Sequence, residues 1–319
     1  MADTEKLTIA LAQIASVWLD QKATIAKVVD YMEKAQEHNP DLIVFGEALV
    51  PGYPFWPELT DGARFNDDKQ KTLFAHYSDQ AVVIERGDLD LVCEAAKQTQ
   101  TAVYLGTIEK APDRSGHSLY CTMVYIDKQG NIGSAHRKLM PTYEERLNWS
   151  SGDGHGLRVH SLGAFTVGGL NCWENWMPLP RAALYGQGED LHVAIWPGGD
   201  HNTHDITPFI AKEGRCYSVA VCGLMRPSDI PATTPFYDEI IAACEKAFLA
   251  NGASCLAAPD GSWVIEPQVE TEGLFYATID HKNVRKERQN FDPAGHYSRP
   301  DVTQLHVDRR RQSTVQFKD

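Results

Sequence analysis

At 319 residues, with 43 % hydrophobic and 23 % charged side chains, the chain is long and apolar enough to bury a substantial core, as an ordinary soluble globular enzyme does. A formal net charge of −13 excludes the extended basic face that nucleic acid or an anionic membrane needs in a partner. MADTEKLTIA has no charged-then-apolar leader and no apolar run nears the ~18 residues of a membrane span, so a cytoplasmic chain is expected.

LTIALAQI predicts a buried strand. Ile25, Val28, Val29, Met32 and Ala35 then share one helix face. DLIVFGE is a wholly apolar strand of the kind covered on both sides, and it closes on Glu47. VPGYPFWP follows as a loop, its prolines blocking both ladder and helix. A helix over about Leu89 to Gln98 leads into the strand TAVYLGTIE. SLYCTMVYID and NIGSAHRKL are strands joined by a hairpin signal at Lys128 to Asn131, the second closing on Lys138. Met140 to Val159 is polar and Gly- and Asp-rich, a long functional loop.

AFTVGGLNC, a helix from about Leu179 to Tyr185, and HVAIWP form a strand–helix–strand unit. A helix near Thr207 to Glu213 precedes SVAVCGLM, and another covers roughly Tyr237 to Leu249. SCLAAPDGSWVIEP is a hairpin turning at Asp260-Gly261, and GLFYATID is the last strand. Strand–helix alternation early and hairpins late predict a layered α/β fold with mixed sheets. There is no repeat or Gly/Ser linker, so one domain is expected, and Arg309 to Arg311 reads as a solvated tail.

The seven cysteines (93, 121, 172, 216, 222, 244 and 255) are scattered, unpaired by any C-x-x-C spacing and mostly flanked by apolar residues. They read as reduced, buried thiols, and each alone is core filler. Cys172 differs, because an apolar run stops there and large aromatics follow, as where a tight turn exposes a nucleophile. A Glu or Lys at a strand end is ordinarily a solvated rim residue. Glu47, Lys138 and Cys172 at three strand ends nevertheless make a coherent set: base, cation and thiol. No metal or cofactor is indicated. His201 to His204 lacks a ligand-like carboxylate and reads as loop, no glycine run has the context of a phosphate cradle, and Ser254-Cys255 lacks the G-x-S-x-G elbow.

Glu47 in VFGEALVPGYP, Lys138 in HRKLMPTYEER and Cys172 in GGLNCWENWMPL resemble the Glu–Lys–Cys signature of the nitrilase superfamily. WSSGDG (Trp149 to Gly154) and GHYSRPDV (Gly295 to Val302) extend the resemblance from about Leu7 to Leu305. Trp173-Glu174-Asn175 after the cysteine is similar to the true nitrilase and cyanide-degrading branches rather than to amidases. The resemblance implies a four-layer α-β-β-α sandwich with mixed sheets, a single catalytic domain over 1–306 and a tail over 307–319. It implies a nitrilase releasing acid and ammonia through a Cys172 thioimidate and thioester, with a cyanide hydratase or dihydratase, or an aliphatic amidase, as alternatives. Glu145, in the Pro141 to Arg146 element, takes the place of the family's second glutamate. Tyr53, Trp173 and Trp196 are expected to line an apolar substrate pocket, the nitrile being the small-molecule partner. A homodimer or higher homo-oligomer is the assembly such a resemblance implies.

Overall fold

The computed structural model describes residues 5–315 and Lys318. Residues 1–4, part of the N-terminal reading, and 316, 317 and 319, part of the tail 307–319, lie outside the described residues. The chain alternates between two sheets. It lays down β1 (Lys6–Gln13), β2 (Leu42–Phe45), β3 (Ala102–Lys110), β4 (Leu119–Ile126) and β5 (Ile132–Arg137). It then forms β6 (His160–Leu162), β7 (Phe165–Asn171), β8 (Leu191–Trp196), β9 (Tyr217–Cys222), β10 (Leu224–Met225), β11 (Ala250–Ala257) and β12 (Trp263–Val269), and returns with β13 (Gly273–Asp280).

The first sheet has the order β13-β1-β2-β3-β4-β5, and the second β10-β11-β9-β8-β7-β6 with β12 beside β11. Each has a parallel centre, β1-β2-β3 and β7-β8-β9, with antiparallel strands outside. Both centres are mostly apolar because both their faces are covered. Between the sheets, Ile9, Leu11, Val44 and Tyr104 pack against Val167, Val193, Val219 and Leu256. The helices Gln21–Lys34 and Asp90–Thr99 cover the first sheet's outer face with Val28, Met32, Val92 and Ala96. Ile206 and Ile210 of the helix Ile206–Gly214 cover Ala194 and Ala220 of the second. The result is the four-layer α-β-β-α sandwich with mixed sheets.

Several elements depart from the sequence reading. The helix starting at Tyr237 ends at Ala243, short of Leu249. His201 to Thr203 belong to a short helix, Asp200–Thr203, rather than to a loop. The loop VPGYPFWP turns helical at Trp56–Leu59, with Pro57 inside the first turn where its missing N–H costs nothing. Helices Asp68–Asp79 and His281–Arg288 were not legible: the first buries only Leu73 and Tyr77 and the second only Val284, too few for an apolar stripe. The arginine cluster is not wholly solvated. Arg311 pairs with Asp153 at 2.9 Å and reaches the Ala135 carbonyl, and the Gln312 N–H donates to the same Asp153 carboxylate. Only Arg310 of the three is exposed, paired with Asp308. Among the described residues no helix is long and apolar enough to cross a membrane.

The fold matters for function at the strand ends. Glu47, Lys138 and Cys172 follow β2, β5 and β7 within two residues of each strand. The Glu47 N–H donates to the Trp196 carbonyl at 3.1 Å, which stitches the end of β2 to the end of β8 in the other sheet. Gly46 makes this approach possible, since a Cβ there would sit 3.1 Å from the Trp196 oxygen, and Gly106 in β3 leaves room for the same segment, since a Cβ there would sit 2.2 Å from the Gly46 oxygen and 2.7 Å from Glu47 Cα. Gly106→Ala is therefore expected to lower stability by about 1–3 kcal/mol and to displace Glu47. Urea denaturation followed by circular dichroism checks this, and an unchanged midpoint would contradict it.

Candidate active site

Cys172 opens a 3-10 turn, Cys172–Trp176, directly after β7, with φ of +49°. A left-handed conformation costs a side-chain-bearing residue on the order of 1–3 kcal/mol, so the surroundings must hold it there. Asn171 and Glu174 form a capping box, in which the Glu174 carboxylate accepts from the Asn171 N–H at 2.9 Å. The same carboxylate accepts from the Leu139 N–H at 2.6 Å and lies 3.1 Å from His136 Nε2. Glu174 thus ties the cysteine turn to the strand end that carries Lys138. Burial would raise its pKa, but His136 and the two backbone donors outweigh that and hold it below the usual carboxylate range.

A second tether runs through Asn175. Its amide donates to the Cys172 carbonyl at 2.8 Å, its Oδ1 lies 2.8 Å from His192 Nε2, and His192 Nδ1 is 3.1 Å from Glu189. Asn175, His192 and Glu189 have no exposed surface at all. A buried polar chain of this kind, satisfied at every link, fixes the geometry of the residue at its end.

Glu145 is placed by a second capping box, Thr142 with Glu145, at the start of the turn Tyr143–Leu147. Its Oε2 accepts from the Thr142 N–H at 2.6 Å and from Lys138 Nζ at 2.7 Å, and its Oε1 accepts from the Tyr53 hydroxyl at 3.0 Å. On the other side Lys138 Nζ is 2.9 Å from Glu47 Oε1. The ammonium also lies 5.5 Å from the Trp149 ring centroid. Polar atoms of Glu47, Glu145 and Cys172 all fall within 4.8 Å of one another. The four side chains meet in one place that is almost shut: Glu47 is 2 % exposed, Lys138 1 %, Glu145 2 % and Cys172 3 %.

Burial sets the protonation states. It pushes Glu47 up to about 7, with Lys138 pulling the other way and Glu145 adding to the rise. Burial and then Glu47 hold the Cys172 thiol well above its ordinary range, opposed by Lys138 and by the Trp173 backbone N–H. Burial alone would lower the Lys138 pKa, yet Cys172, Glu47 and Glu145 outweigh it and keep the ammonium charged. Burial also raises Tyr53, followed by Glu145 and Glu144, so its hydroxyl stays a donor. At neutral pH the site holds a thiol, an ammonium and a carboxylate poised to take a proton.

Of the residues singled out by sequence, the structure brings Glu47, Lys138, Glu145 and Cys172 into contact range, with Tyr53 beside them. Trp196 is wholly buried in the same apolar cluster as Cys172, and its indole N–H has no partner among the described residues. Trp173, expected at the pocket, is 52 % exposed. The turn buries Cys172, Glu174 and Asn175 and so directs Trp173 and Trp176 outward. The Trp173 backbone N–H favours the ionised form of the Cys172 thiol. Sequence reading missed Glu174, Asn175, His192 and Cys121. The Asn171-x-x-Glu174 and Thr142-x-x-Glu145 spacings were the available signal, both being capping boxes. The donor set Glu47, Glu145 and Cys172 would suit a small cation, but the Lys138 ammonium already lies between the two carboxylates. A cavity of 630 Å³ reaches the edge of the site at Glu144, which also accepts from Tyr53, and is lined by Glu58, Asp61, Tyr143 and Leu147 among others.

Residues 8–289 match the carbon-nitrogen hydrolase family. A protein named Nitrilase 2 from an unknown prokaryotic organism is 35 % identical over 321 residues, covering 100 % of this chain and 98 % of that one. An aliphatic nitrilase of Rhodococcus rhodochrous is 32 % identical over 326 residues, covering 98 % and 82 %. Among solved structures, a carbon-nitrogen hydrolase from Helicobacter pylori G27 superposes with a TM-score of 0.69 at 17 % identity, covering 93 % of this chain and 96 % of that one.

Glu174→Gln tests the clamp between the two strand ends. The amide keeps one acceptor where three donors now meet, leaving buried N–H groups unpaired. A loss of about 2–3 kcal/mol in urea denaturation is expected, together with slowed alkylation of Cys172. Unaltered stability and thiol reactivity would contradict a clamping role.

Proposed function

Because the chain belongs to the carbon-nitrogen hydrolase family, we propose that it is a nitrilase, converting R–C≡N and two waters to R–COOH and ammonia. The reading rests on one observation: a buried Lys138 ammonium held between Glu47 and Glu145, with the Cys172 thiol within 4.8 Å of both carboxylates. Relatives named nitrilase and aliphatic nitrilase support a nitrile as substrate.

In this scheme Glu47 takes the proton of Cys172 and the thiolate attacks the nitrile carbon. The S–C bond forms as one C–N π bond breaks, and the nitrogen receives from Glu47 the proton that left Cys172, giving a thioimidate and regenerating the carboxylate. Lys138 and the Trp173 N–H stabilise charge building on that nitrogen. Glu47 then removes a proton from water as it adds to the thioimidate carbon. The amino group leaves, protonated, as ammonia, and a thioester remains. A second water, activated in the same way, releases the acid and returns the proton to Cys172. Glu145 holds Lys138 in register, and Tyr53 holds Glu145. Tyr53 and Trp196, with its unpartnered indole N–H, would flank the bound nitrile.

Glu58, Asp61 and Glu144 at the cavity favour uncharged nitriles over those carrying a carboxylate. Seven free thiols support a reducing, cytoplasmic setting. The exposed apolar side chains Trp173, Trp176, Leu179 and Phe209 support a homodimer. Leu179→Arg is expected to convert a dimer to a monomer in size-exclusion chromatography, and a monomeric parent protein would contradict that assembly.

Ammonia release is the direct assay of activity. Benzonitrile, phenylacetonitrile and an aliphatic nitrile should each yield ammonia and acid, whereas Cys172→Ala should yield none. Turnover confined to cyanide, or to amides, would overturn the nitrilase reading. The rate should also fall as pH drops below about 7, because Glu47 must be ionised to accept a proton and burial raises its pKa to about 7. A kcat/KM profile flat through that region would contradict Glu47 as the base.

A further inference from the structure

One buried nucleophilic side chain touches the site and has no part in the scheme above. Cys121 lies in β4, 1 % exposed, with its Sγ 3.3 Å from Glu47 Oε1. The same oxygen is 2.9 Å from Lys138 Nζ, whereas Glu47 Oε2 is buried and has no partner among the described residues. Two donors therefore converge on one carboxylate oxygen and none on the other. A carboxylate exchanges its oxygens by rotating about its last side-chain bond, and donors anchored on two separate strands oppose that rotation. The backbone reinforces the arrangement, since the Lys138 N–H donates to the Cys121 carbonyl at 2.7 Å, setting the two donors side by side.

We infer that Cys121 is a positioning residue for Glu47: its thiol and Lys138 together pin Oε1, leaving Oε2 as the atom that takes the Cys172 proton. The chemistry rests on the nitrilase reading, and the geometry does not. In the step itself the Cys172 S–H bond breaks, an O–H bond forms at Oε2, and the electron pair stays on the Cys172 sulfur. The Cys121 proton remains on its own sulfur throughout, because burial and then the Glu47 charge hold that thiol well above its ordinary range. The groups facing Glu47 are Lys138 after β5, Glu145 in the turn Tyr143–Leu147, Cys121 in β4 and Cys172 after β7. Tyr53, Tyr77 and Cys222 lie farther out. Of these, Lys138 and the Cys121 thiol favour the ionised carboxylate, so loss of Cys121 moves the base to higher pH.

Cys121→Ala and Cys121→Ser, compared for kcat, KM and their pH dependence with thermal unfolding as a check on folding, test this role. The alanine variant should lose about five-fold in kcat with KM little changed, and its acid limb should move to higher pH. The serine variant keeps an O–H donor and should recover most of both. Alanine with parental kcat and acid limb, or serine as impaired as alanine, would overturn the inference. The pH dependence of Cys172 alkylation by iodoacetamide, read on the Cys172 peptide by mass spectrometry, supplies a readout free of substrate. Identical alkylation curves for the parent and the alanine variant would overturn the role of Cys121. Absence of ammonia from every nitrile would instead count against the nitrilase reading alone.

Discussion

A lysine ammonium with 1 % of its surface exposed is the most demanding feature of this molecule, and much of the surrounding structure follows from accommodating it. Removing such an ion from water still costs several kcal/mol after relaxation, and only close opposite charge with good geometry offsets that. Lys138 has two carboxylates within 2.9 Å and the Trp149 face at 5.5 Å. Burial acts on the carboxylates as well: it pushes Glu47 up to about 7, Lys138 pulls the other way, and the Glu145 charge adds to the rise. The desolvation that makes the lysine costly is thus also what brings Glu47 into the neutral range, and the ion pair limits that shift.

That cluster stands where two sheets meet, and it survives only because both are pinned together there. Glu174 bridges the cysteine turn and the Lys138 strand end, and the Glu47 N–H reaches across to Trp196. Left-handed backbone at Ala48, Tyr143 and Cys172, each at or beside a site residue, marks where the chain is bent away from its preferred conformations. The two capping boxes, the Asn175–His192–Glu189 chain and the Tyr53 hydroxyl are what hold these bends. The same constraint explains the closed appearance of the site: groups that must be desolvated to have these protonation states cannot also be widely exposed.

Much of this was legible in the sequence, for identifiable reasons. LIVF and VAVC are unbroken apolar runs because their strands are covered on both faces, and each is bounded by a clear break. The four clustered groups were visible because Glu47, Lys138 and Cys172 interrupt apolar runs at strand ends and Glu145 sits in a recognisable local element. Contacts made by residues distant in the chain were not visible. Cys121 looks like one more apolar strand position among LYCTMVYI, and only the register of β4 beside β3 and β5 turns it toward Glu47. His192 and Glu189 carry no local signal, since their meaning depends on Asn175, 14 or more residues away. The exposure of Trp173 was not legible either, because it follows from the 3-10 turn that buries Cys172, Glu174 and Asn175.

The central claim is that Cys172 attacks carbon and carries the substrate covalently in this constellation. Acid quenching during turnover of a slow aromatic nitrile, followed by digestion and peptide mass spectrometry, tests it most directly. The account predicts an added mass equal to the nitrile, or to its acyl group, on the peptide bearing Cys172. An adduct found only on another residue, or steady turnover with Cys172 replaced by alanine, would contradict it.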